Sequence, residues 1–379
     1  MSAGPSRAGT LAVDEVLVQT EAERYRAVAV SGGRPVDAMS VPRRSTGTVG
    51  SIYVGRVVRR AGGMNGAFVD IGLDRPAFLN LEKGTPDEGK AVAVQLVEGE
   101  SPGKGVRVSM RIALEGRFLV LLPNRKGVAP SRRLEEKERK RLAELLEPRL
   151  HGEGIIIRAA ASRAEPSALA EELDVLRRLW HDIAGRLNGA PPLCAHAEYG
   201  LRRLLCAFGG APAARFVFAE PEAMRQARSL ASTVAPELGQ RMAVAEEGGG
   251  LFDRYGIADA LAIAEGREVP LPSGGKMSIE STAALTAIDV DSGSGSIGPD
   301  AALATNLEAA GEIGLQLRLR ELGGPVVVDF IRMSRRGDHE RVRRRLAQSV
   351  ESDRLAVQVL GWTQGGLFEL NLARAGYEG

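Results

Sequence analysis

"TAIDVDSGSGS", Thr286–Ser296, sets two carboxylates, Asp289 and Asp291, at the end of a short apolar run and directly before a glycine–serine turn. A run of this kind reads as a buried strand that stops where the turn begins. A second apolar run, "PVVVDF" (Pro325–Phe330), closes in the same way on Asp329. Between them lies the helical pattern "ATNLEAAGEIGLQLRLREL", long enough to let two strands lie side by side in one sheet. Their C-terminal ends would then bring Asp289 and Asp329 within reach of one ion. The alternation continues through a helix, "HERVRRRLAQSVESD", and a strand, "LAVQVLGW". This is the pattern of a layered α/β fold whose site lies at strand C-terminal ends.

Two carboxylates converging in an apolar setting repel each other unless a cation lies between them. With no His or Cys nearby, oxygen-only ligation favours magnesium or manganese over zinc. Taken singly, Asp289 fits a turn cap and Asp329 a strand-end cap; the matched pair favours the ion. Further on, "RMSRRGDHERVRRR" (Arg332–Arg345) carries seven arginines against two carboxylates. Such a patch either meets phosphates or forms a solvated helix face, and the patch alone does not choose between them.

Upstream, "SIYVGRVVRR", "GAFVDIG", "RPAFLN", "AVAVQLVE" and "GVRVSM" are five short strands separated by glycine-bearing turns, the pattern of a small barrel ending near Met110. Small barrels bind single-stranded nucleic acid through exposed aromatic and basic side chains. Phe68 and Phe78, on adjacent strands, and Lys104, in "SPGKGVR", are the candidates; each phenylalanine also fits a core position. From the barrel to about residue 200, strand and helix patterns alternate, ending in the helix "SALAEELDVLRRLWHDIAGRL". Residues 210–270 read as mixed, with strands in "ARFVFA" and "GQRMAVAE" and a helix in "PEAMRQARSLA". A carboxylate-held metal together with a nucleic-acid barrel points to phosphodiester hydrolysis, without choosing RNA or DNA.

The 379 residues leave room for two or three domains with proper cores. Net charge is only +2, so charge distribution says more about partners than the total does. Two cysteines, Cys194 and Cys206, form no CxxC pair and are expected to be buried thiols in a reducing compartment. No apolar stretch approaches membrane-span length and the N-terminus lacks a signal-peptide apolar region, so a cytoplasmic protein is expected.

With these blocks in order, the sequence resembles the catalytic half of the ribonuclease E/G family over nearly all its length. The resemblance is densest from "LPSGGKMSIESTAALTAIDVDSGS" through "TNLEAAGEIGLQLRLRELGGPVVVDFIRM". It extends to "IYVGRVVRR…GAFVDIGLDRPAFLN", similar to the family's S1 domain, and "FLVLLPN…GVAPSRR", similar to the start of its 5′-sensor domain. It implies an α/β multidomain chain. An RNase H-like domain (1–48 and 204–270) is interrupted by an S1 barrel (49–111) and a 5′-sensor domain (112–203), and a DNase I-like catalytic domain (271–379) follows.

By this resemblance the magnesium-binding aspartates are Asp289 and Asp329, with manganese as a substitute ion. The position that orients the scissile phosphate or metal-bound water, asparagine in the family, is Asp291 here, and Arg332 stands where the family usually has an acidic residue. The substrate-anchoring groups fall on Phe68, Phe78 and Lys104. The 5′-monophosphate pocket falls on Gly116, Val120 and Arg158, but a threonine is replaced by Ala159 and a second arginine by Gln364, so phosphate sensing should be blunted. The sequence ends at Gly379, before the place of the family's zinc-sharing cysteine pair, and Cys194 and Cys206 match that motif in neither spacing nor place. No zinc is expected; dimerisation through the catalytic domain is. The implied activity is magnesium-dependent endonucleolytic hydrolysis of single-stranded RNA, giving 5′-phosphate and 3′-hydroxyl ends, in rRNA or tRNA processing or mRNA decay. The rival is an RNA-binding protein of the same fold with little or no cleavage.

Overall fold

A computed structural model describes residues 12–43, 47, 49–61, 65–80, 86–100, 105–197, 200–211, 214–246, 250–293, 299–333, 335–351 and 357–372, with backbone only at 234, 299 and 336. Close contacts divide the chain into two compact units. One comprises Met1–Val18, Ala27–Met39 and Ala245–Gly379, and the other Gln19–Arg26 and Ser40–Val244. The first three strands, β1 (Glu15–Glu21), β2 (Arg24–Ser31) and β3 (Arg34–Pro42), are sheet neighbours in chain order.

Five short strands follow, as the glycine-punctuated sequence predicts: β4 (Ile52–Arg60), β5 (Gly66–Asp70), β6 (Ala77–Asn80), β7 (Ala91–Glu98) and β8 (Arg107–Ser109). They lie in the order β4-β5-β6-β8-β7, and β7 pairs back onto β4 from Ile52↔Gln95 to Arg56↔Ala91, which closes a barrel. Closure removes the free edges that short strands would otherwise expose. Inward residues such as Val57, Val69, Leu79, Val94 and Leu96 fill the interior.

Next come β9 (Leu114–Glu115), β10 (Leu119–Leu122), β11 (Gly127–Pro130), α1 (Glu136–Leu146), β12 (Gly154–Ile157) and α2 (Pro166–Arg186). The strands form a sheet in the order β11-β12-β10-β9. Leu142 and Leu146 on α1, with Leu169, Leu173 and Leu176 on α2, recur at helical spacing and bury against it. A strand that the sequence did not signal, β13 (Leu193–His196), adds to β4. It corrects one expectation, because Cys194 on β13 is exposed while Cys206 is buried. Then follow α3 (Gly200–Phe208), β14 (Arg215–Phe218), α4 (Pro221–Val234) and β15 (Met242–Val244). Residues Gly239–Arg241, expected in a strand, instead close the 3-10 helix Pro236–Arg241, and β15 starts only at Met242.

The remaining elements are α5 (Leu251–Arg254), α6 (Ala258–Glu265), β16 (Glu268–Pro270), β17 (Lys276–Ser281), β18 (Thr286–Asp291), α7 (Pro299–Leu319), β19 (Gly324–Asp329), α8 (Arg336–Ser349), β20 (Val357–Trp362) and β21 (Phe368–Leu372). Six strands make one sheet, β16-β17-β18-β19-β21-β20, antiparallel except between β18 and β19, which α7 connects as a parallel crossover. On β18, Thr286, Ile288 and Val290 are buried, and Ala287, Asp289 and Asp291 are exposed. That period of two assigns the apolar side to the core, where Ala309, Ala310, Ile313 and Leu317 of α7 join Val342 and Leu346 of α8. The two helices approach closely because α7 offers glycine at the contact; a Cβ on Gly314 would sit 2.0 Å from the Ser349 carbonyl oxygen of α8. No helix among the described residues is long and apolar enough to cross a membrane.

Candidate functional site

Register, rather than side-chain packing, brings the two aspartates together. In the parallel pair, Thr286 lies beside Val326, Ala287 beside Val327, Ile288 beside Val328 and Asp289 beside Asp329. Both carboxylates are exposed and lie on the face opposite the buried residues of their strands. A slip of one residue would send one of them into the core, so the buried Val and Ile side chains lock the acidic pair in place.

Asp291 shares the outer face with Asp289, two residues on. Its Oδ1 accepts the Gly293 N–H at 2.8 Å, which turns the chain sharply off the strand end. Directly across the antiparallel neighbour stands Lys276. The Lys276 ammonium donates to Glu268 at 2.7 Å. This hydrogen bond and the same carboxylate's attraction raise the lysine pKa above its usual value, against slight desolvation and with a further attraction from Asp291. The extra negative charge at position 291 therefore has a cation opposite it, a partner that the sequence reading missed. Among the described residues no three His, Cys, Asp or Glu side chains converge as a metal-binding group.

A second missed residue holds the segment after Asp329. Asn306, in the middle of α7, is fully buried. Its Oδ1 accepts the Ile331 N–H at 3.0 Å and its Nδ2 donates to the Ile331 carbonyl at 2.8 Å. Both backbone groups two residues past Asp329 are thereby satisfied by one side chain. An asparagine at the helical spacing of the apolar residues Leu303, Ala309 and Ala310 was the available signal, because such a residue must find partners when buried. His339, within the arginine-rich stretch, is half-buried, with its ring 4.8 Å from that of Trp362 and its Nδ1 3.2 Å from the Arg335 carbonyl oxygen.

On the barrel, Phe68 and Phe78 are register partners on β5 and β6. Their rings meet edge to face at 5.6 Å and 67°, and both side chains are half-exposed on the outer surface, so neither is a core residue. Gly66 makes room for them, since a Cβ there would meet the Phe78 ring at 2.5 Å. Lys104 lies outside the described residues.

Of the three expected sensor residues, two touch. The Arg158 guanidinium donates to the Gly116 carbonyl at 2.9 Å, while Val120 is buried in β10. Ala159 is also buried. Gln364 is exposed in the turn between β20 and β21, in the other compact unit. The loop from Gly116 to Leu119 is shaped by a residue that the sequence did not single out. Glu172 of α2, fully buried, accepts the N–H groups of Arg117 at 2.9 Å, Phe118 at 2.8 Å and Leu119 at 2.9 Å, and the Arg117 Nε at 3.2 Å. Gly116 permits this close approach, because a Cβ there would lie 2.7 Å from the Glu172 carboxylate.

The profile described as "Ribonuclease E/G family" matches residues 113–375. The chain is 32% identical to ribonuclease G from Haemophilus influenzae, over 95% of this chain and 79% of that protein. It is 31% identical to ribonuclease G from Escherichia coli K12, over 95% of this chain and 80% of that one. Ribonuclease E from Haemophilus influenzae is 33% identical over 94% of this chain, which spans only 41% of that longer protein.

Proposed function

The chain belongs to the ribonuclease E/G family, and from that premise we propose that it is a magnesium-dependent endoribonuclease hydrolysing single-stranded RNA. The observation that carries the reading is the parallel register that pairs Asp289 with Asp329 at adjacent strand ends. Two exposed carboxylates fit magnesium, which is commonly held by one or two carboxylates while keeping several waters. Bound there, with manganese as a substitute, the ion supplies positive charge to the developing charge on the scissile phosphate. In the reaction a water oxygen bonds to phosphorus as the P–O3′ bond breaks. The O3′ leaves as a protonated 3′-hydroxyl, and the phosphate stays on the 5′ end of the downstream product.

Asp289 and Asp329 hold the ion; Asp291, fixed by Gly293 and faced by Lys276, orients the groups around it. Phe68 and Phe78 stack bases, and Lys104 attracts the phosphate backbone. The proposal includes the divided RNase H-like domain with its inserted barrel and sensor, the DNase I-like catalytic region at 271–379, a homodimer through that region, and a cytoplasmic role in rRNA or tRNA processing or mRNA decay. With Ala159 and Gln364 in place of a hydroxyl and a guanidinium, Arg158 is left as the sensor's charged donor, and 5′-monophosphate preference is weak.

The test is cleavage of a labelled unstructured RNA in magnesium by the wild type and by an Asp289→Asn, Asp329→Asn double variant. One RNA carries a 5′-monophosphate and another a 5′-hydroxyl. Magnesium-dependent cutting by the wild type alone is expected, at similar rates on both RNAs. Asp291, Ala159 and Gln364, where the resemblance leads one to expect asparagine, threonine and arginine, favour a second reading: an RNA-binding protein that does not cut. Binding without cleavage above the double variant, in manganese as well, would establish that one instead.

A further inference from the structure

A row of side chains crosses the barrel at right angles to its strands. Arg59 on β4 is the register partner of Phe68 on β5, Phe68 of Phe78 on β6, and Phe78 of Arg107 on β8. The sequence across four adjacent strands is Arg–Phe–Phe–Arg. The guanidinium carbon of Arg59 lies 4.2 Å from the centre of the Phe68 ring.

Arg59 reaches that position through a β-bulge. The β4–β5 register runs Arg56↔Asp70 and Val57↔Val69, skips Val58, and resumes at Arg59↔Phe68. Regular alternation would have turned Arg59 inward with Val57, which is 1% exposed. The extra residue turns Arg59 out over Phe68 and leaves Val58 47% exposed, an apolar side chain in water with no packing reason to be there. Bulges re-aim side chains in this way, often beside binding sites.

The other arginines of these strands already have partners. Arg56 donates to the Gly89 carbonyl at 2.8 Å, Arg60 pairs with Asp87 at 3.1 Å, and Arg107 pairs with Glu98 at 3.0 Å. Among the described residues, Arg59 has neither a carboxylate nor a carbonyl acceptor; its guanidinium is held by the Phe68 ring. A planar cation on an aromatic face keeps its outer plane for stacking and its N–H edges for an anion.

We propose that Arg59 is a further RNA-contacting residue: a base stacks on the outer plane of its guanidinium with Phe68 behind it, and the guanidinium edge donates to a neighbouring phosphate. The proposal rests on the reading that the Phe68–Phe78 face binds single-stranded RNA. It changes what the first stacking surface is, because Arg59 covers the Phe68 face that a base would otherwise use. Single-stranded RNA suits this pairing, since its unstacked bases lie flat on aromatic or guanidinium planes while its phosphates follow the cations.

The test measures binding of a fluorescent unstructured RNA without divalent metal, by anisotropy across a salt series, for wild type, Arg59→Ala, Arg59→Lys, Arg60→Ala and Phe68→Ala. Arg59→Ala should weaken binding about tenfold and lower the slope of log K against log salt by about 0.7, the value for one phosphate on a single strand. Arg59→Lys should restore the slope but only part of the affinity, because a lysine carries the charge without the stacking plane. Arg60→Ala should change binding less than twofold. If Arg59→Ala binds like the wild type while Phe68→Ala is weakened, Arg59 is no RNA contact and the barrel reading stands. Equal losses in Arg59→Ala and Arg60→Ala would reduce the effect to general charge and overturn the proposal. If Phe68→Ala is also neutral, the barrel reading itself fails.

Discussion

The strand-end aspartates and the loop Gly116–Leu119 are held in place by opposite means. Asp289 and Asp329 meet because two strands run parallel in one register, and both side chains are exposed on the outer face of the sheet. The loop Gly116–Leu119 has its shape because one buried side chain, Glu172, gathers three backbone N–H groups and an arginine. At the first site the backbone positions the chemistry, so a functional group can change without the fold noticing. At the second a side chain positions the backbone, so function and folding depend on the same residue.

The sharpest break of this contrast sets Asp289→Asn against Glu172→Ala. Asp289→Asn should lower the cleavage rate by about 10³-fold, the effect of losing several kcal/mol of metal-borne stabilisation. Its unfolding free energy should stay within about 0.5 kcal/mol of wild type, because the side chain is exposed on a strand locked by its apolar face. Glu172→Ala should reverse that pattern. Three buried backbone donors lose their acceptor and Arg117 is left with Glu237 as its carboxylate partner, at a cost of about 3–5 kcal/mol in the urea unfolding of the unit that contains the barrel. Glu172→Gln, which keeps a carbonyl acceptor, should fall between. A stable Glu172→Ala protein would mean that water or a rearranged loop replaces the carboxylate.

Asn306 is an intermediate case, where a side chain fixes the backbone beside the register-placed pair. Asn306→Ala strips both hydrogen bonds from Ile331 and should cost about 1–3 kcal/mol. If Asn306 positions the segment following Asp329, cleavage should fall by more than RNA binding does. Equal losses in both would reduce it to a purely structural residue.

The smallest expected effect lies at Asp291. Asp291→Asn should leave stability within about 0.5 kcal/mol and shift the half-saturating magnesium concentration upward by only a few-fold, since one carboxylate of the outer face is lost while Asp289 and Asp329, the proposed ligands, remain. Lys276→Ala should move the same curve downward, because it removes the cation that faces Asp291. If both variants move it in the same direction, the two charges do not oppose each other at the ion.

Much of this architecture was legible in one dimension. The five barrel strands showed because short apolar alternations were punctuated by glycine. The helices α2, α7 and α8 showed because Leu, Ile, Val and Ala recur at helical spacing. The strand β21, "FELNL", was missed because five residues next to a turn carry little periodicity, and β13 because "LCAH" has no strand pattern without its partner β4.

From the sequence alone came the element types, the two aspartates at the ends of apolar runs, and the family resemblance, all of which rest on local periodicity or ordered motifs. Tertiary structure alone decided that Asp289 stands beside Asp329, that Lys276 faces Asp291, that Glu172 fills the loop before β10, and that a bulge at Val58 turns Arg59 onto Phe68. Each of these joins residues from different elements. Strand register is set by the fit of whole buried faces, and a buried polar group finds its partner only after the chain has closed, so neither leaves a mark at the residue's own place in the sequence.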